Sequence, residues 1–365
     1  MLPVFRIRDG FENLLNNDES FLIAVNVLEN KRSVGIFPEA SHTNMRKLLP
    51  LKKGVPRLAF MAESKNDFNL GVKIVPVGIH YTNYERMGCT VHVMFGKPID
   101  VREYKEAYIQ NQQKAMLLLR DEIAKRLSEL VINIDSPLHY YAIYKASELF
   151  SAPIVQANGI KRVCPVLKYK SQLAISRLLD KNNIYRTEGD EALLSKVESL
   201  FRRLGRAKIH RLTTGIRARF FGTLGKLFCL TLFFPFYLYG AINAMPKIYF
   251  LKMVLRKFED RQFHSSLKFV WGIIVSPVFF LAQASLFFAV FGNLEWSLVY
   301  LASLPVLVYF SNYYTRTYES WVPEMKLELL RLFKPDKYAK IEAIFQDIVD
   351  DLTKSLNPTS LQKSS

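Results

Sequence analysis

Three long stretches without a charged side chain constrain this chain more than any other feature. They cover residues 227–245, 269–294 and 296–315, and are 19, 26 and 20 residues long. A hydrocarbon core of ~30 Å takes about 20 residues of helix to cross, so each stretch is long enough to span a bilayer. The second and third are joined by Gly292-Asn293-Leu294-Glu295, which makes them a hairpin with a non-basic tip. Both outer ends of that hairpin are basic, with Arg256, Lys257, Arg261 and Lys268 before it and Arg316, Lys326 and Arg331 after it. An excess of Lys and Arg marks the cytoplasmic side, so both ends are expected there. The first stretch is basic on both flanks and is interrupted by Pro235, whose ring and missing N–H kink a helix. A re-entrant or in-plane broken helix is therefore expected in place of a third crossing.

Charge supports the membrane reading. Fifty Lys and Arg against 33 Asp and Glu give a net charge of +17, which calls for an anionic partner. No acidic residue occurs between Glu198 and Glu259, whereas Arg202, Arg203, Arg206, Lys208, Arg211, Arg217, Arg219 and Lys226 lead into the first apolar stretch. Cations that adjoin hydrophobic spans suit anionic headgroups better than phosphodiesters. Membrane lipids are the expected partner, and nucleic acid is not. Half of the residues are hydrophobic, which excludes a disordered or collagen-like chain. Cys89, Cys164 and Cys229 form no CxxC pair, so neither a disulfide framework nor a cysteine zinc site is expected, and no cofactor is implied. The opening residues Met1 to Asp9 lack the basic and apolar regions of a signal peptide.

Residues 1–103 read as an α/β layer. Phe21, Leu22, Val25 and Leu28 recur at helical spacing, and a second helix is expected over 55–62 with Pro56 in its first turn. Residues 33–37, 72–79 and 90–95 read as short strands, the first of them buried. Residues 104–205 read as an amphipathic helical segment, with helices expected over 107–132, 137–150, 167–179 and 190–204. Residues 206–318 form the membrane region, and 319–365 a cytoplasmic helix with a disordered Ser/Thr-rich tail.

The chemistry-bearing residues lie in the α/β layer. Phe37-Pro38-Glu39-Ala40-Ser41-His42 reads as a strand running into a turn. Pro3-Val4-Phe5-Arg6 precedes it, Leu48-Leu49-Pro50-Leu51-Lys52-Lys53-Gly54 follows it, and Ile74-Val75-Pro76-Val77-Gly78-Ile79 comes later. This ordered set resembles the glycerolipid acyltransferase family, which includes lysophosphatidate and glycerol-3-phosphate acyltransferases. The family's second block is a Pro-apolar-x-Arg strand end, its third Phe-Pro-Glu-Gly-Thr-Arg-Ser, and its fourth an apolar-Pro-Val-Gly strand. The Leu-Leu-Pro-Leu-Lys continuation is similar to the fungal-type glycerol-3-phosphate/dihydroxyacetone-phosphate branch.

The resemblance implies transfer of an acyl group from acyl-CoA or acyl-carrier protein to a glycerol phosphate or a lysophospholipid, without a metal. Arg6 is implied as the phosphate ligand, because a guanidinium fork matches phosphate oxygens. Arg8 beside it competes for that role. Glu39, Ala40, Ser41 and His42 are implied to position the acceptor, with Lys52 and Lys53 as further phosphate-binding candidates. Each has a structural alternative: a solvated charge for Arg6, Lys52 and Lys53, and a capping or salt-bridged carboxylate for Glu39. Ala40 stands where the family has Gly, and His42 where the more common pattern has the phosphate-contacting Arg.

The family's first block, His-x4-Asp, supplies the general base and the carboxylate that orients it. None of the six histidines here has Asp five positions on; His80 has Glu85 there, but after the fourth block and out of order. The sequence thus leads to the expectation of an acyltransferase domain present in part and inactive as written. The alternative is a non-catalytic membrane or lipid-binding protein that keeps the fold.

Overall fold

The computed structural model describes residues 16–39, 43, 45–83, 88–160, 162–180, 188–209, 220–258 and 263–356. It divides into two compact units, residues 1–80 with 91–137, and residues 81–90 with 138–365.

The first unit is built on helices whose apolar residues share one face. Helix α1 (Asn16–Glu29) buries Ala24 and Val25 against Leu58 and Ala62 of α2 (Gly54–Lys65). Pro56 sits in the first turn of α2, where a missing N–H costs nothing. The single helix expected over 107–132 is broken. Helix α3 (Lys105–Gln110) stops at Asn111, whose extended backbone and side chain cap α4 (Gln112–Ser128) by accepting the Lys114 N–H at 2.9 Å. A side-chain amide that can satisfy a helix start competes with helix continuation. Along α4, Ala115, Leu119, Ile123 and Leu127 make one stripe that packs on Ala59 and Phe60 of α2, and on Ile99 and Val101.

The α/β layer expected from the sequence is not confirmed, since the described residues hold only four short strands. Strand β1 (Lys73–Ile74) pairs antiparallel with β4 (Ile99–Asp100), and β2 (Val77–Tyr81) pairs with β3 (Val91–Phe95). The Gly96 N–H meets the Pro76 carbonyl at 2.8 Å and the Thr82 N–H the Thr90 carbonyl at 3.0 Å, two bonds of a single antiparallel register. The expected strand at 72–79 is therefore split between two ladders. The buried strand expected at 33–37 is absent: that backbone joins no ladder, and Phe37 is 85% exposed. Apolar character suggested burial there, but a strand persists only where a neighbour takes its N–H and C=O groups.

The second unit combines a helical body with a membrane region. Helices α5 (Tyr140–Ala157), α6 (Pro165–Leu179) and α7 (Glu188–Arg206) pack together, and α13 (Pro335–Ser355) returns to join α5 and α7. Phe150 stacks on Phe345 at 4.9 Å, and Lys196 bridges Asp347 and Asp351 at 2.7 Å. The tail beyond residue 356 lies outside the described residues.

Between α7 and α13 lie the apolar helices. Two are long and apolar enough to cross a membrane: residues His264–Phe291, 28 residues long, and α12 (Leu294–Phe333), 40 residues long. The first of these comprises α10 (Phe263–Val270), one π-helical turn (Trp271–Val275) and α11 (Ser276–Phe291). Gly292, at φ +66°, ends α11 in the left-handed conformation that a glycine adopts without strain, and Asn293 caps α12. Trp296 and Tyr313 bracket about 26 Å of α12, close to the ~30 Å of a hydrocarbon core, as interfacial aromatics do.

Helices α8 (Phe220–Leu232) and α9 (Phe234–Leu255) form a pair bent by 59° just ahead of Pro235. On α8, Lys226 pairs with Glu324 at 2.7 Å and the Leu230 carbonyl accepts from Tyr314. The contacts of α9 then climb α12 toward the hairpin tip, from Phe233 on Phe310, through Gly240 on Leu307, to Asn243 on Tyr300. From there they retreat along α11, with Asn243 on Gln283, Lys247 on Ser276 and Phe250 on Phe279. The packing of α7 on α13 requires the chain to enter and leave the apolar region on one side. The bent pair has the form of a broken span or a re-entrant loop.

Candidate functional site

The Phe-Pro-Glu turn is held by the segment that follows it. Glu39 Oε2 accepts the Leu49 N–H at 2.9 Å, and the Pro38 carbonyl accepts the Lys52 N–H at 3.0 Å. Leu51 anchors this segment because it is buried in the cluster of α2 and α4. Residues 46–48 are fixed in turn by residues 133–135. The Ile134 N–H bonds the Arg46 carbonyl at 2.9 Å, Asn133 Oδ1 accepts the Leu48 N–H at 2.8 Å, and Lys47 lies 3.4 Å from Asp135. The turn is thus the end of a hydrogen-bonded chain that reaches back to the end of α4.

Of the residues singled out in the sequence, Glu39, Lys52 and Lys53 are described; Arg6, Arg8, Ala40, Ser41 and His42 lie outside the described residues. The backbone bonds bring Glu39 and Lys52 together. Lys53 stands immediately before α2, with its ammonium donating to Gln113 Oε1 at 3.2 Å. No described cation pairs with Glu39, whose carboxylate accepts the Leu49 N–H. Among the described residues no three His, Cys, Asp or Glu side chains converge as metal ligands would.

His80 on β2 and His92 on β3 are both buried, with ring centroids 6.1 Å apart. Burial, then the positive Arg46 and His92, pull the His80 pKa down from 6.5 to about 3. Burial also lowers that of His92. Glu85, the sequence partner considered for His80, lies outside the described residues.

Sequence reasoning missed the strap at 131–135. Its signal was present, since Val131-Ile132-Asn133-Ile134-Asp135 alternates apolar and polar, and Ile132 and Ile134 are buried. It also missed the close seat of Leu130 on β2: a Cβ at Gly78 would lie 2.7 Å from Leu130 Cβ.

Comparison with known proteins shows that the turn lies in a stretch similar to a known family. Residues 4–80 match the family model described as Acyltransferase. Over 120 residues the chain is 31% identical to glycerol-3-phosphate O-acyltransferase 2 of Saccharomyces cerevisiae, covering 33% of this chain and 16% of the yeast protein. Glycerol-3-phosphate O-acyltransferase 1 of the same yeast is 32% identical over 108 residues, covering 29% of this chain and 14% of its own length. The matched stretch, about a third of the chain, is similar to glycerolipid acyltransferases. It spans about a sixth or less of the length of these two family members. No solved structure matches it.

Proposed function

We propose that this chain serves membrane-bound acyl transfer in glycerolipid synthesis, and that its Phe-Pro-Glu turn holds the acceptor. The observation that supports this most directly is the fixed turn itself. Glu39 is anchored through Leu49 and Pro38 within the stretch that matches the acyltransferase family. In this reading the acceptor is glycerol 3-phosphate or a lysophosphatidate-like lipid, and the donor is acyl-CoA or acyl-carrier protein. Arg6 takes the phosphate, with Arg8, Lys52 and Lys53 adding charge, while Glu39, Ala40, Ser41 and His42 orient the glycerol. The acceptor hydroxyl attacks the thioester carbonyl, a C–O bond forms, the C–S bond breaks, and the thiolate leaves as a base takes the hydroxyl proton.

The base is the part this chain does not identify. His80, sealed from water with a pKa of about 3, is a poor proton acceptor at neutral pH, and no histidine has Asp five positions on. The 365 residues alone are therefore expected to bind a glycerol phosphate without acylating it. That same missing pair favours the second reading, a lipid-binding protein that keeps the fold without catalysis. In both readings the acyltransferase-like domain is cytoplasmic.

Titration calorimetry of glycerol 3-phosphate against the purified chain in detergent tests the acceptor site. Arg6→Ala should weaken binding roughly ten- to a hundredfold, the worth of one charged hydrogen bond, and Arg8→Ala should weaken it less. Glu39→Gln preserves an acceptor for the Leu49 N–H, so a binding loss in that variant reports the charge, and a loss confined to Glu39→Ala reports the turn. Absence of binding by the parent chain would overturn the acceptor reading. Turnover by the parent chain with acyl-CoA would overturn the assignment of the base.

A further inference from the structure

The membrane region contains a cation with no acidic partner among the described residues. Lys247 lies on α9, past the point where that helix turns from α12 to α11. Its ammonium is 3.4 Å from Ser276 Oγ and 4.9 Å from the centre of the Phe280 ring. Ser276 is buried and stands seven positions inside the uncharged stretch that begins at Phe269, about 12 Å of helix beyond Lys268. A lysine that merely reached for the interface would turn toward the basic ends at Lys252, Arg256 and Lys268. This one turns inward.

No described carboxylate answers it. Residues 199–258 and 269–294 contain no Asp or Glu, and no described acid lies within ion-pair distance of Lys247. A second donor stands five residues before Ser276 on the same helix. Trp271 opens the π-helical turn, its indole N–H is buried without a partner among the described residues, and its carbonyl accepts the Ser276 N–H. The π turn is what places Trp271 and Ser276 on successive turns of the helix, and single π turns recur at functional sites. The ammonium thus has only a hydroxyl and a ring face to answer it, and the indole N–H has no acceptor among the described residues.

We infer that Lys247, Ser276 and Trp271 form an anion-binding point within the membrane region that takes the phosphomonoester headgroup of a membrane lipid. A phosphomonoester offers enough terminal oxygens for all three donors, and its acyl chain carries it to a depth that a free anion does not reach. The exposed apolar side chains nearby, Ile273 and Ile274 on the π turn and Val278 just after it, would lie along that acyl chain. The inference rests on the membrane reading of the helices and stands apart from acyl transfer.

The test uses the full chain in phosphatidylcholine nanodiscs doped with phosphatidate, with retained lipid read by native mass spectrometry. Phosphatidate should be retained over phosphatidylcholine, and Lys247→Gln should cut that retention about tenfold, as loss of one charged hydrogen bond does. Lys247→Arg should preserve it, Ser276→Ala and Trp271→Phe should each reduce it by a smaller factor, and Lys252→Gln should leave it unchanged. Should Lys247→Gln fail to fold by circular dichroism, the Ser276→Ala and Trp271→Phe pair decides. Unchanged phosphatidate retention in Lys247→Gln, or in both of the other variants, overturns the site. Equal retention of oleate overturns the phosphate assignment, and displacement of phosphatidate by soluble glycerol 3-phosphate overturns the lipid one.

Discussion

The first unit and the membrane region bury opposite kinds of side chain. In the first unit the hidden residues are large and apolar, such as Phe60, Ile99, Leu119 and Ile123. In the membrane region many are small, among them Gly240, Ala244, Ser276, Ala284, Ser297 and Ser311, while Phe221, Leu286, Val290 and Val306 face outward. Water drives the first arrangement by expelling apolar surface. Lipid offers no such drive, so helices there are held by close approach and by hydrogen bonds turned inward. The bonds of Asn243 with Tyr300 and Gln283, at 2.5 and 3.0 Å, are of that second kind. One chain thus uses two rules of packing, and each rule can be broken separately.

The largest effect is expected at Gly240. A Cβ there would sit 2.1 Å from the Leu307 carbonyl oxygen, backbone that cannot step aside. Gly240→Leu should cost at least the ~3 kcal/mol at the upper end of overpacking, read as a lowered thermal midpoint in detergent. Gly78→Ala, whose Cβ would meet Leu130 at 2.7 Å, should cost less, within the ordinary range of about 1–3 kcal/mol. Comparable losses at the two glycines would remove the contrast between the regions.

Acid should act on the first unit through His80. Its pKa is about 3 when folded and near 6.5 when unfolded, so between those values the unfolded chain binds more protons. Stability is untouched above pH 6.5 and falls as pH drops below it, by roughly 3 kcal/mol at pH 4. His80→Gln should flatten that slope in chemical denaturation of the first unit. A slope that survives the substitution would assign it to other groups.

Smaller effects refine the picture. Asn111→Ala removes the α4 cap and should cost about 1 kcal/mol in the same denaturation series. Tyr300→Phe deletes the bond to Asn243 and should cost only ~0.6 kcal/mol, the usual worth of one interhelical hydrogen bond in a membrane protein. A much larger loss at Tyr300 would mean that the inward polar bonds, and not the small residues, hold α9 in place.

What could be read in the sequence divides along the same line. Apolar stretches free of charge announced the membrane helices, and Pro235 marked the place where the first of them bends. Periodicity also found α1, α2, α6 and α7 to within a few residues. It could not find what depends on distant partners. Phe37 sits in an apolar run, yet no neighbouring strand covers it. Asn133 gives no local hint that it will hold Leu48, 85 residues away. At the candidate site, the sequence named Glu39 by motif, but the Leu49 N–H that its carboxylate accepts became visible only once the chain was folded. The Lys247 site depends on three helical segments meeting, and its residues read singly as an ordinary cation, hydroxyl and indole.

Helix α12 carries a mechanical consequence. It runs unbroken for 40 residues, about 60 Å, and only its first half is apolar. The second half leaves the lipid and continues to α13, which is packed into the helical body. That makes α12 a lever with its fulcrum at the bilayer surface. Helices tilt to match bilayer thickness, and a tilt of about 10° would swing the end of a ~30 Å arm through roughly 5 Å. The α5–α7–α13 body should therefore register changes in lipid thickness as displacement. Spin-label distances from the hairpin tip to α13 in bilayers would stay the same at every thickness if the arm is stiff, and would shift if Pro323 absorbed the swing.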